Sequence, residues 1–341
     1  MRLAVLGAGS LGTIIGALIT KGGHDTILID SNIDHVRALN ENGATIQGKM
    51  NLNVPVKACT PNEIEGKFDA VIYLAKAPSN SEALTSILPH LTEESVVCTL
   101  QNGIPEEAVA GYVGKDRTVG GAVGFGASWK GPGVSALTSD PSKMMFDIGE
   151  LDGSITPRIQ KIKNVLDLSG SCNITNNLIG YRWTKLILNA AFSGMSAALG
   201  CNYGEVLDNK NAMLCAAFIV DECVKVAHAE GVSIEVIQGA DFNKATLEKG
   251  KSSIEEKMPF YNKLLSPHRQ IIASMLFDLR LGKKTEIDTI NGEVSLRGRR
   301  SGVPTPFNDR VVEVVKREES RESVPTINNL NLFSDIIARA D

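Results

Sequence analysis

The 341-residue chain is long enough for two domains, each with its own core. Hydrophobic residues at 43% and charged residues at 22% match a soluble globular protein, and a net charge of −4 gives no support for a nucleic-acid partner, which selects a basic face. No apolar run reaches the roughly 18 residues a membrane span needs, and the chain opens on a strand without a charged leader and cleavage site, which points to the cytoplasm.

Residues 2–6 read as a short apolar strand, and residues 11–21 as a helix stopped by Gly22 and Gly23. Between them runs Gly7-Ala8-Gly9-Ser10-Leu11-Gly12, and the next apolar run, HDTILID, closes on Asp30. Strand, glycine triplet, helix, strand and acid in one short unit form a dinucleotide-binding fingerprint. Gly7 allows the tight turn, Gly9 lets the backbone approach a pyrophosphate, and Gly12 lets helix and strand pack closely. The helix N-terminus then offers N–H groups and a positive dipole end to the phosphates. Asp30 can accept from the adenine ribose hydroxyls and repels a 2′-phosphate; it can also serve as an N-cap for the helix that follows. No arginine stands in Ser31-Asn32-Ile33, so the sequence favours NAD(H), with NADP(H) as the alternative. Arg37 and Lys76 are the nearest cations that would reverse that preference.

Further along, 33–43 reads as a helix ending at Gly43, and ATIQGK and NLNVPVKAC as a hairpin. FDAVIYLAK and SVVCTL are buried strands separated by the helix NSEALTSILPHL, and EEAVAGYVG is another helix. RTVGGAVGFGASWKGPGVSALTS reads as two β segments about the turn at 130–133, and KMMFDIGEL as one more strand. Near-continuous apolar strands between helices predict a mostly parallel sheet covered on both faces, with antiparallel additions that make it mixed. From Thr156 the pattern is helical almost to the end, with no convincing strand. Residues 181–199 predict one long buried helix, and Pro304 and Pro306 break a later one. The expected architecture is an α/β Rossmann domain over 1–165 and an all-α substrate-binding and catalytic domain over 166–341. The apolar stretch INNLNLFSDIIARA either caps the helical domain or meets a second subunit, and it leans the reading towards a homodimer.

The six cysteines form no C-x-x-C pair and lie mostly in apolar segments, and the five histidines lack ligand spacing, so no metal is implied. Reduction of a carbonyl needs a donor for the developing alkoxide and polar groups that orient the substrate. In RWTKLILNAAFSGMSAALG, Lys185, Asn189 and Ser193 follow at intervals of four and share a helix face. A lysine inside an apolar helix is costly unless it meets water or a partner, and a side chain snorkelling from the helix end fits the residues equally well. A second cluster, IIASMLFDLRLGKKTEID, places Ser274, Asp278 and Glu286 around Gly282; as a bland alternative it is a solvated surface run.

Taken in order, GAGSLG at the start, LAK at Lys76, LQNG at Asn102, K-x-x-x-N at Lys185 and Asn189, SM-x-x-D and TEID resemble the ketopantoate reductases (2-dehydropantoate 2-reductases) over nearly the whole chain. The resemblance implies a C-terminal domain of the 6-phosphogluconate dehydrogenase-like type. It implies that Lys185 is the general acid for the substrate C2 oxygen and that Glu286 contacts that oxygen and fixes the lysine or the substrate. Asn102 would lie beside the nicotinamide, Ser274 would receive the substrate carboxylate, Asn189 the distal hydroxyl, and Lys76 would lie near the cofactor. Two positions depart from the family pattern. At one, the second asparagine expected four residues after the first is Ser193; the other is Asp30, since better-known members prefer NADP and carry a basic residue near there. The reading is reduction of 2-dehydropantoate to pantoate in pantothenate biosynthesis, with a small-molecule 2-oxo acid as substrate, no nucleic-acid or membrane partner, and a possible homodimer. A related D-2-hydroxyacid dehydrogenase for another bulky 2-oxo acid is the first alternative, raised by Ser193. A cofactor-binding sensor without turnover is the second.

Overall fold

The computed structural model describes residues 1–237 and 239–340. The chain divides into two compact units, Met1–Leu178 and Ile179–Asp341.

In the first unit the elements run β1 (Arg2–Leu6), α1 (Ser10–Lys21), β2 (Asp25–Ile29), α2 (Ile33–Asn42), β3 (Ala44–Gly48), β4 (Leu52–Val54), β5 (Lys57–Cys59), β6 (Phe68–Tyr73), α3 (Asn80–Ile87), β7 (Leu91–Thr99), α4 (Glu106–Val113), β8 (Thr118–Val123), β9 (Ala127–Gly131), β10 (Val134–Leu137), β11 (Met145–Glu150), α5 (Pro157–Leu166) and β12 (Ser171–Ile174). The main sheet has the order β5-β2-β1-β6-β7-β8-β11-β12. Every neighbouring pair is parallel except β8 with β11. The mixed, mostly parallel sheet is therefore present as the apolar runs predict. Alternation along each strand splits the core into two layers. Leu3, Val5, Ile72 and Phe146 pack on one face with Ile14 and Ile162 of α1 and α5. Ala4, Leu6, Val71 and Tyr73 pack on the other with Leu84 and Val109 of α3 and α4.

Three local expectations are corrected. The segment from Arg117 to Ser139 holds three strands, not two: β8 joins the main sheet, while β9 and β10 form a hairpin. That hairpin pairs with β3 in a second sheet of order β4-β3-β10-β9. NLNVPVKAC is not one strand, because Pro55 separates β4, paired with β3, from β5, which crosses to the edge of the main sheet beside β2. A strand also follows Thr156: β12, running parallel to β11, so the first unit extends to Leu178 rather than to 165.

The second unit is mainly helical among its described residues, with α6 (Leu178–Leu188), α7 (Gly194–Leu199), α8 (Tyr203–Asp208), α9 (Lys210–Ala229), α10 (Ile254–Leu265), α11 (Ser274–Arg280), α12 (Asn291–Ser301), α13 (Pro306–Glu319) and α14 (Ser334–Arg339), joined by loops and short helical turns. Trp183, Phe192, Met195, Ile219 and Val315 are fully buried in its core. The single long helix expected over 181–199 is interrupted. A π segment, Asn189–Ser193, inserts between α6 and α7. Gly302, left-handed at φ +74, ends α12, and Pro306 opens α13, the order of signals that stops one helix and starts the next. The apolar C-terminal stretch packs on its own unit: Phe333 is fully buried, and the Asn329 amide donates to Ala198 O of α7 at 2.9 Å.

Candidate active site

In the first unit, loops leave the carboxyl ends of the adjacent parallel strands β1, β6 and β7, the edge where sheets of this kind hold ligands. Gly7 follows β1 with φ +95, and a Cβ there would lie 2.3 Å from Ala75 N. A Cβ at Gly12 would lie 2.2 Å from the Gly7 carbonyl oxygen. Both glycines are thus demanded by backbone packing. Gly9 is not, because a Cβ there meets no heavy atom within 4 Å. Gly9 is also the N-cap of α1 and brings no side chain to its first N–H groups; Ser10 and Leu11, both half-buried, follow. Open space over an uncapped helix N-terminus fits the pyrophosphate of a dinucleotide.

Asp30 is half-buried directly after β2, and its Oδ1 accepts from Asn32 N at 2.9 Å. The N-cap of α2 is Asn32, whose Oδ1 accepts from His35 N at 3.1 Å, so that alternative duty of Asp30 falls to its neighbour. Arg37 is exposed, 3.5 Å from the Asp34 carboxylate. Lys76 is exposed in the loop after β6, and Asn102 is half-buried in the loop after β7. Gln101 ties these two loops together: its Nε2 donates to Ala75 O at 2.6 Å and to Asn80 Oδ1 at 2.7 Å. The Tyr73 hydroxyl donates to the same Asn80 oxygen at 2.7 Å. Sequence reading passed over Gln101; the available signal was a polar residue at the end of an apolar strand, immediately before Asn102.

In the second unit, Lys185 sits near the end of α6 and is half-buried. Burial lowers its ammonium from 10.5 to about 8; the Arg182 guanidinium pushes the same way, and the Glu286 carboxylate opposes both. Arg182 is itself buried and was not singled out from the sequence. Glu286 is buried just before a 3-10 turn, Ile287–Thr289, and its carbonyl accepts from Thr289 N and Ile290 N. The neighbouring Thr285 is pinned to α13, since its N–H and its hydroxyl each donate to Glu319 Oε1 at 2.7 Å.

Asn189 and Ser193 open and close the π segment. Such a turn inserts a residue into the helical ladder and frees backbone carbonyls. One of these, Ala190 O, accepts from Asn291 Nδ2 at 3.0 Å, and Asn291 continues to Asn308 and on to the buried Glu222. Glu222 also accepts from the N–H groups of Phe307 and Asn308 at the start of α13. Ser193 is buried, and its hydroxyl lies 2.6 Å from the Tyr203 hydroxyl and 3.5 Å from Asn189 Oδ1. The serine at the position where the family pattern has asparagine is therefore already engaged by a tyrosine. Ser274 is exposed at the first position of α11; the preceding Ala273 donates its N–H to Ser196 of α7 at 3.2 Å. Among the described residues no group of three His, Cys, Asp or Glu side chains could hold a metal, and no helix is long and apolar enough to cross a membrane.

Residues 3–153 match the family model described as Ketopantoate reductase PanE/ApbA, and residues 177–319 match its C-terminal model. The chain is 30% identical to the 2-dehydropantoate 2-reductase of Pyrococcus horikoshii, over 94% of this chain and 98% of that one. It is 26% identical to the enzyme of that name from Streptococcus pyogenes, again over 94% and 98%. Among solved structures, D-mandelate dehydrogenase with NADH and anilino(oxo)acetate shares the fold at a TM-score of 0.82 and 24% identity, covering 94% of this chain and 99% of that one. The 2-dehydropantoate 2-reductase of Geobacter metallireducens GS-15 matches at a TM-score of 0.78 and 25% identity, covering 93% and 99%. Matched through both of its halves, the chain belongs to the ketopantoate reductase family.

Proposed function

We propose that the chain reduces 2-dehydropantoate to pantoate with a nicotinamide dinucleotide as co-substrate. The observation that carries this reading is Lys185, a lysine lowered to about 8 by burial and Arg182 against the opposing charge of Glu286, in a chain of this family. Gly7, Ala8, Gly9, Ser10, Leu11 and Gly12 would hold the pyrophosphate, Asp30 the adenine ribose, and Lys76 and Asn102 the remainder of the cofactor. Reduced nicotinamide, when bound, supplies the hydride that the C2 carbon accepts. Lys185 Nζ gives its proton to the C2 oxygen and regains one from water, so the carbonyl becomes a hydroxyl with charge balanced. Glu286 orients that ammonium and the oxygen. Ser274 receives the substrate carboxylate, and Asn189, with Ser193 beside it, receives the distal hydroxyl.

Asp30 sets the preference for NADH. A carboxylate accepts hydrogen bonds from a ribose diol and repels a 2′-phosphate. Catalytic efficiency is expected to be at least about tenfold higher with NADH than with NADPH, a gap of about 1.4 kcal/mol. A preference of that size for NADPH would overturn the assignment.

The 2.6 Å contact of Ser193 with Tyr203 favours one second reading, a D-2-hydroxyacid dehydrogenase with a reshaped distal pocket. A panel of 2-oxo acids separates the readings. Turnover of 2-dehydropantoate alone supports the first, turnover of several bulkier 2-oxo acids supports the second, and cofactor binding with no turnover leaves only a sensor. The acid role of Lys185 carries a pH signature as well. Its protonated form dominates below about 8, so reductive kcat/KM is expected to be flat below that pH and to fall above it.

A further inference from the structure

We propose that His35 is a positioning residue for cofactor binding, holding the Ala8–Gly9 peptide so that the Gly9 N–H is turned to the dinucleotide's pyrophosphate. The inference rests on the dinucleotide reading above. His35 is fully buried in the first turn of α2, edge-on to Trp129 with ring centroids 4.6 Å apart. Its hydrogen bonds fix its tautomer. The Gly133 backbone N–H donates to Nδ1 at 2.8 Å, and an amide N–H can only donate, so Nδ1 carries no proton. Nε2 therefore carries it and donates to the Ala8 carbonyl at 2.7 Å. The Thr13 hydroxyl donates to the same oxygen at 2.7 Å. Burial also lowers the pKa of the ring, in keeping with a neutral imidazole.

Two donors thus pull the Ala8 carbonyl inward, at the residue between the first two glycines of the fingerprint. The Ala8–Gly9 peptide is trans and planar, so its N–H points opposite to its C=O. An inward carbonyl turns the Gly9 N–H outward, on the residue whose missing side chain leaves open space. The β9–β10 hairpin, through Gly133, holds the ring that holds the loop. That link reaches from the second sheet to the phosphate cradle, and nothing in the glycine pattern announces it.

Two conservative variants divide the functions of the ring. His35→Gln places an amide donor where Nε2 stood, whereas His35→Asn keeps an acceptor for Gly133 and loses the donor to Ala8. ADP-ribose, which carries the pyrophosphate without the reactive ring, is the probe. Its Kd is expected to rise about tenfold in His35→Asn and to stay within about twofold of wild type in His35→Gln. KM for the dinucleotide should rise in parallel with Kd, while kcat at saturation is retained. Equal losses in both variants, in step with Tm, would reduce His35 to a packing residue and overturn the proposal, as would unchanged binding in His35→Asn. A wild-type protein that binds neither NADH nor ADP-ribose would overturn the dinucleotide reading and this inference with it.

Discussion

Replacing Lys185 by methionine is expected to lower kcat for 2-oxo acid reduction by at least about a hundredfold while leaving Tm unchanged or raised. The loss is that of a proton donor at an oxygen that becomes an alkoxide, for which a positioned acid is worth about 10²–10⁴ in rate. The retained stability follows from the sign of the pKa shift. Burial and Arg182 bring the ammonium from 10.5 down to about 8, so the folded protein disfavours the charge that the unfolded chain carries freely at neutral pH. Methionine keeps the length of the side chain and removes that charge. A loss of activity with an unchanged melting profile and an unchanged Kd for NADH therefore isolates chemistry from folding. If Lys185→Met turns over near the wild-type rate, the acid is another group.

Gly7→Ala and Gly9→Ala, two alanines two residues apart, are expected to fail in opposite ways. At Gly7 the φ of +95 disfavours any side chain, and the new Cβ would meet backbone atoms of Ala75 at 2.3 and 2.6 Å, which cannot move aside as a flexible side chain can. Gly7→Ala is expected to cost about 3 kcal/mol or more of stability, enough to depress Tm or abolish soluble protein. At Gly9 the Cβ enters open space, so Gly9→Ala should melt like wild type. If that space belongs to the pyrophosphate, the same methyl group obstructs it, and Kd for NADH should weaken by about a hundredfold, or about 2.7 kcal/mol. Thermal denaturation with and without NADH reads both effects. Tight NADH binding by Gly9→Ala would detach the open space from the cofactor.

The sequence was most legible where structure is local. The first βαβ unit could be read residue by residue, because a tight turn, a close helix–strand approach and a strand-ending acid each require a particular residue type within a short span. The helical stops at Gly22 and Gly43 belong to the same class of signal. What escaped depends on pairings between distant segments. The strand β12 is only four residues long and is defined by its hydrogen bonds to β11, so its own side chains carry little alternation. The pairing of β10 with β3 joins segments about ninety residues apart and makes a second sheet that no local pattern encodes.

The site shows the same division. Lys185 and Asn189 could be placed on one helix face by spacing, and the family resemblance added Glu286 from a separate segment. The π segment could not be foreseen, because it is stabilised from outside the helix, by Asn291 on the Ala190 carbonyl and by the chain of Asn308 and Glu222 behind it. Arg182, Gln101, His35 and Tyr203 were likewise missed. Each acts through a partner remote in sequence or through burial, and neither is visible in residue order.

The proposed role of Lys185 as proton donor is tested most directly by NMR titration of its ammonium, set beside the pH profile of reductive kcat/KM for the same protein. A lysine titrating near 8 is expected, with a loss of kcat/KM centred on the same pH. An ammonium that titrates near the ordinary lysine value of 10.5, or a kcat/KM that ignores its titration, would contradict that role.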